Sequence, residues 1–165
     1  MVQTTIGDFL KKLKTYFPYI TFIGLALFIG LISGIFTNKG MAAYELVSKP
    51  WFTPPSALFP IVWTILYILV GYSMGRVWMT KSEALPYCLM AYGAQLLGNL
   101  FWTIWFFLLQ AYLFSFVWLV GLGFVVLIMA VLFFRADKRA GVLQVPYLLW
   151  LIFAGVLNLQ IYLLN

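Results

Sequence analysis

Charged side chains punctuate this chain, and the apolar runs between them set its elements. Every Asp, Glu, Lys and Arg lies outside four blocks, residues 15 to 38, 50 to 75, 84 to 134 and 140 to 165. A span of hydrocarbon takes about 20 apolar residues at about 1.5 Å rise each. The 51-residue block from Ala84 to Phe134 therefore holds two membrane helices, and each of the others holds one. The pattern predicts an all-α integral membrane protein, a five-transmembrane-helix bundle, as a single domain over residues 1–165. Its spans fall at residues 17–36, 58–79, 84–109, 111–134 and 142–165. The joints are tight except for a 21-residue outer loop over 37–57, long enough to act as a lid. Within that loop Met41 to Val47 are expected to form a helical turn or two, and Pro50, Pro54 and Pro55 stiffen the return to the bilayer. Pro60, Pro86 and Pro146 fall in first turns, where a missing N–H costs little.

Composition supports the count. With 65% hydrophobic residues, 20% aromatic and a mean hydropathy of +1.03, the chain has more apolar surface than one soluble core could hide. The net charge of +6 is placed at helix ends, as topology signals are, so no nucleic-acid partner is expected. Lys11, Lys12, Lys14, Arg76, Lys81, Arg135, Lys138 and Arg139 fall on one side and only Lys39 and Lys49 on the other. The positive-inside rule then puts the N-terminus in the cytoplasm, and the expected location is the cytoplasmic membrane of a prokaryote. The run from Phe17 to Phe36 follows lysines as a signal peptide would. It is about twice the length of a usual h-region and lacks a small-x-small cleavage site, so it reads as the first span.

The absences narrow the chemistry. There is no His, one Cys (Cys88), and no carboxylate inside a predicted span, since Asp8, Glu45, Glu83 and Asp137 fall in loops or near the N-terminus. Histidine triads, zinc sites and His-ligated haem are excluded, and neither metal nor cofactor is expected. Proton-coupled transporters keep an ionisable group at mid-membrane, and this chain has none there.

Polar and aromatic residues repeat on single helical faces. Gln95, Asn99, Trp102 and Phe106 follow i, i+4, i+7, i+11 on the third span, and Trp150, Ala154, Leu157, Asn158 and Ile161 form a similar stripe on the fifth. Measured from the outer helix ends, Trp63, Trp102 and Asn158 share one depth, Tyr67, Asn99 and Ala154 a deeper one, and Gln95 and Trp150 the deepest. Three spans would thus share a layered wall around a mostly apolar cavity suited to a flat, greasy ligand. The plainer reading is that amides in membrane helices bond neighbouring helices and that aromatic rings anchor the interface. Gly30/Gly34, Gly71/Gly75 and Ala94/Gly98 fit small-xxx-small packing. Of these, Ala91, Ala94 and Gly98 on the third span are the expected homodimer face.

The segments KPWFTPPSALFPIVWTILY (Lys49 to Tyr67), NLFWTIWFF (Asn99 to Phe107) and PYLLWLIFAGVLNLQIYLLN (Pro146 to Asn165) resemble, in order, the TspO/translocator protein family, also called the peripheral benzodiazepine receptor family. The resemblance implies a five-helix bundle, commonly a homodimer. It implies binding of porphyrins and other tetrapyrroles, sterols and benzodiazepine-site ligands beneath the first loop, with porphyrin as ligand and not as cofactor. It implies a pocket at Tyr44, Pro54, Trp63, Tyr67, Asn99, Trp102, Phe106, Trp150, Ala154 and Leu157, to which facing adds Gln95 and Asn158. Phe52, counted with the expected pocket, stands where the family has Trp before the Pro-Pro pair, and Ala57 where it has Trp after. Trp63 and Trp150 match the tryptophans linked to porphyrin photochemistry. The expected function is a tetrapyrrole sensor, carrier or regulator. The alternatives are an enzyme of light-dependent porphyrin degradation and a tetrapyrrole transporter.

Overall fold

The structure, a computed structural model, describes the backbone of residues 2–165 and the side chains of residues 14–165. Its elements are α1 (Val2–Leu46), α2 (Leu58–Thr80), α3 (Leu85–Thr103) continued by a π-helical turn (Ile104–Leu108), α4 (Tyr112–Ala136), a short α5 (Lys138–Val142) and α6 (Val145–Leu164). The side chains of Asp8, Lys11 and Lys12 lie outside those described. The chain is an integral membrane protein whose five long helices form one bundle. By length and composition α1, α2, α4 and the α5–α6 segment can each cross a membrane. The apolar run of α3 is interrupted by Gln95 and Asn99, both buried inside the bundle.

The first helix departs most from expectation. The predicted span 17–36 is part of a single helix that runs on to Leu46, so the 21-residue loop shrinks to residues 47–57. Hydropathy marks where the membrane ends, not where the helix ends. Lys39 closes the apolar run, but Met41, Ala42 and Ala43 are good helix formers and carry the helix onward. Glu45, expected in a loop, is in its last turn. Lys49 then caps that end: its ammonium donates to the carbonyls of Glu45 (3.0 Å) and Val47 (3.3 Å) and lies 4.8 Å from the centre of the Tyr44 ring. The predicted end of the third span is also altered, because its last residues widen into the π turn before Gln110 reverses the chain at φ 51°. The predicted fifth span starts late, at Val145, after α5 has used part of it.

Helix α1 leans on two different neighbours, and this shapes the interior. Near the end of the bundle that carries the α2–α3 and α4–α5 turns (the turn end), α1 and α2 touch backbone to backbone. A Cβ on Gly71 would lie 2.5 Å from the Ile23 Cα, and one on Gly75 would lie 3.0 Å from the Tyr19 Cα. Toward the opposite, loop end α1 leans on the π turn instead, where Gly40 meets the Phe107 carbonyl so closely that no side chain fits. The Tyr92 hydroxyl fastens α3 to the Phe22 carbonyl at 2.6 Å, and the Trp118 indole fastens α4 to the Gly98 carbonyl at 2.8 Å. Between its two points of support α1 first meets the Tyr67 ring of α2, 2.7 Å from where a Cβ on Gly30 would be. Beyond Gly30 it stands away from α2, with no atom within 4 Å of a Cβ on Gly34.

Candidate functional site

The space left by that divergence is a cavity of about 650 Å³ in the loop-end half, walled by α1, α2, α3 with its π turn, and α6. Pockets of some 300–1,000 Å³ hold small organic ligands. Its inner wall is aromatic. The Trp102 ring stacks on Phe106 at 5.2 Å, and Phe106 meets Tyr44 of α1 at 5.9 Å. On α2, Trp63 faces Trp102 at 6.3 Å and Tyr67 at 5.7 Å. Across the cavity Ala154 and Leu157 of α6 add small or aliphatic surface, which leaves width for a flat molecule between the rings.

The inner polar groups are mostly engaged with one another, Asn99 Oδ1 being a buried acceptor with no protein partner. The Asn158 carbonyl accepts from the Trp102 indole at 3.3 Å and from the Ser115 hydroxyl at 3.0 Å, while its amide donates to the Tyr112 carbonyl at 2.9 Å. One residue thus ties α3, α4 and α6 together. Deeper, Asn99 donates to the Gln95 backbone carbonyl (3.0 Å), the Gln95 side-chain oxygen (3.2 Å) and the Tyr147 hydroxyl. Tyr147 in turn donates to Gln95 Oε1 at 3.0 Å. These bonds hold the wall in register, as amide bonds between membrane helices do. None of the cavity-lining residues is charged, so a bound molecule meets rings, aliphatic groups and a few neutral dipoles.

The predicted site residues divide. Tyr44, Trp63, Tyr67, Asn99, Trp102, Phe106, Ala154, Leu157 and Asn158 all line the cavity. Gln95, Trp150, Phe52 and Pro54 do not. Gln95 is buried below it as the hub of the Asn99–Tyr147 network. Trp150 is behind Trp63, meeting it edge-on at 6.5 Å, and borders a separate shallow groove between α2 and α6. Phe52 packs on Trp51 and on Phe153 of α6, and at the loop it is Ser56 and Ala57 that reach the cavity. The proposed homodimer face is split as well. Ala94 is exposed and Ala91 partly buried, but Gly98 turns toward α4, where a Cβ would lie 2.7 Å from Leu122 Cδ1.

Sequence reasoning missed Tyr147, Phe107 and Gly30/Gly34 as parts of the site or its support. Tyr147 had a signal: it precedes Trp150 and Ala154 at i, i+3, i+7 and extends the same stripe by a turn. Gly30 and Gly34 carried a small-xxx-small packing signal but none for the cavity, and Phe107 carried none, because their role depends on how α1 crosses the bundle.

Comparison with known proteins agrees with this architecture. A sequence model of the TspO/MBR family matches residues 22–164. The chain is similar to the tryptophan-rich protein TspO of Chlorobaculum tepidum, 38% identical over 146 residues covering 87% of this chain and 92% of that protein. It is similar to the tryptophan-rich protein TspO of Archaeoglobus fulgidus at 37% over 140 residues, 84% and 91% of the two chains. It is also similar to the tryptophan-rich sensory protein of Cereibacter sphaeroides at 36% over 122 residues, 74% and 76%.

Proposed function

The chain belongs to the TspO/MBR family, and from that premise we propose that it is a membrane receptor or sensor whose cavity binds flat apolar molecules, porphyrins and related tetrapyrroles first and sterol-like molecules second. The observation that carries the reading is the ring wall: Tyr44, Phe106, Trp102 and Trp63 form an unbroken run of aromatic contacts beside about 650 Å³ of uncharged space. Stacking and burial of a macrocycle there supply affinity without ionic groups. The ligand is cargo or signal, not a cofactor. Titration of the purified protein with protoporphyrin, followed through tryptophan fluorescence, is expected to saturate at one ligand per chain. Quenching that rises linearly without saturation, as for free indole, overturns the reading.

Light-dependent porphyrin breakdown is a second reading, favoured by the contact of Trp150 with Trp63 and of Trp63 with Trp102. It requires bleaching faster than that of porphyrin in empty micelles, with Trp63→Phe more damaging than Trp150→Phe because Trp63 alone of the pair lines the cavity.

The same reading places the protein in a prokaryotic membrane with the N-terminus in the cytoplasm. An impermeant thiol reagent on intact cells should label Ser56→Cys in a Cys88→Ser background; labelling of Ser82→Cys instead reverses the orientation. It also includes a homodimer through α3, with exposed Ala94 at its centre. Ala94→Trp should then yield monomers in lipid, and a retained dimer moves the contact to another helix.

A further inference from the structure

The cavity wall is lopsided in its exposure. The lining residues from α3 and α6, Asn99, Trp102, Thr103, Ala154, Leu157 and Asn158, are all buried, whereas the exposed lining residues all come from α1, α2 and the segment leading into α2. Leu31 is 65% exposed and Ile35 50% exposed on α1, and Thr64 and Pro60 are exposed opposite them on α2. The opening is therefore a window in the side of the bundle, between α1 and α2. Its lower edge is where Gly30 packs on the Tyr67 ring, and its upper edge is where α1 leans on the π turn at Gly40. Leu31 is eight residues before Lys39, about 12 Å along the helix, so the window faces acyl chains and not headgroups.

The loop does not close this window. Its first residue pair is tied to the end of α6, where Ser48 exchanges two bonds with the Asn165 side chain at 2.9 and 3.0 Å. Phe52 packs on Phe153 of the same helix. The loop thus leans toward α6, on the far side of the cavity from α1. Water finds few partners along the inner wall, where a buried water needs two to four. The Trp102 indole and the Asn158 amide are bonded within the protein, and Asn99 Oδ1 is the buried amide acceptor left over, while the polar Asn38, Ser56 and Thr64 are exposed at the rim.

We propose that an acyl chain of a membrane lipid enters through the α1–α2 window and occupies the cavity when no other ligand does. An apolar space open to hydrocarbon fills with hydrocarbon, because little polar surface is desolvated and the ring wall attracts the tail by dispersion along its length. Any soluble or membrane-dissolved ligand then binds by displacing a lipid tail. Gly34 lies at the window, lines the cavity and has no atom within 4 Å of where its Cβ would be. A side chain started there meets nothing at its Cβ and projects into the window.

The test uses the full chain in vesicles of phosphatidylcholine carrying a diazirine at mid-acyl chain, with adducts mapped by mass spectrometry after illumination. Adducts are expected on inner-wall residues such as Trp102, Phe106 and Leu157, as well as on the lipid-facing Phe124 and Ile152. Gly34→Leu is expected to lower the inner-wall adducts at least fivefold and leave those at Phe124 and Ile152 unchanged. Thr64→Phe, on the opposite side of the window, repeats the test if Gly34→Leu does not fold. Adducts confined to lipid-facing residues, or inner-wall adducts that persist in both variants, overturn the proposal. No porphyrin is present, so neither outcome depends on the porphyrin reading.

Discussion

Trp102 joins three parts of the site: its ring stacks on Phe106, faces Trp63, and its indole N–H ends on Asn158. Trp102→Ala is expected to weaken protoporphyrin binding by about 1 to 3 kcal/mol, the loss of one large buried ring from the contact. Phe124→Ala is the control, since Phe124 is an exposed aromatic on α4 that faces lipid; equal losses in the two variants, read by fluorescence titration, would refute the pocket. Trp118 is unsuited to that role because its indole bonds the Gly98 carbonyl and holds α3 to α4. Much of this scale was legible. The spacing of Gln95, Asn99, Trp102 and Phe106 identified the buried face of α3. Spacing gives the face but not where along it the cavity stops, and that is why Gln95 and Trp150 shared stripes with lining residues yet fell outside the lining.

Helix α1 carries the main lesson at the scale of elements. Its close approach to α2 at Gly71, its divergence beside Gly34 and its contact with the π turn at Gly40 together create the cavity. Gly71→Ala should therefore cost about 1 to 3 kcal/mol, as overpacking does, because the new methyl meets the Ile23 backbone at 2.5 and 2.7 Å and a backbone cannot rotate away. Gly34→Ala should be neutral or stabilising by up to about 1 kcal/mol, since the helix loses a flexible residue and nothing is struck. Thermal unfolding in detergent checks the pair; similar losses in both would show that α1 is packed evenly along its length. The small-xxx-small pattern was visible in the sequence at 30/34, 71/75 and 94/98. Which pair packs tightly and which borders a cavity was not, because all three patterns read the same until the helix crossing is known. The π turn also had no signal, since Ile104–Leu108 is as apolar as the helix before it.

At the scale of the whole molecule, one ion pair closes the turn end. Arg76 Nη2 lies 2.7 Å from Asp137 Oδ2, joining α2 to the α4–α5 turn, where Asp137 also caps α5 by accepting from the Ala140 N–H at 2.9 Å. The Arg76 guanidinium, aided by backbone donors, holds the Asp137 carboxyl below the usual carboxylate range. The folded value is depressed, so the pair stabilises the bundle above the unfolded carboxyl's pKa of about 4 and loses that contribution as pH falls through the lower folded value. Melting temperature should fall on acidification through that window, and Asp137→Asn should start lower at neutral pH and vary less; an identical acid slope in the variant would assign the effect to other carboxyls. The pair is partly open to solvent, which keeps the effect small. The sequence by itself determined the solvent: long uncharged apolar runs match the thickness of hydrocarbon, and four such blocks, one of them long enough for two spans, give a five-helix bundle. It also determined which faces of α3 and α6 turn inward, because helical periodicity is local. Tertiary structure alone decided that α1 outruns its apolar stretch and leans from α2 onto the π turn. It likewise decided that Arg76 finds Asp137 and that the cavity opens sideways between α1 and α2. These depend on contacts between residues far apart in the chain, such as Gly40 with Phe107 and Arg76 with Asp137, and no local pattern encodes how two helices cross.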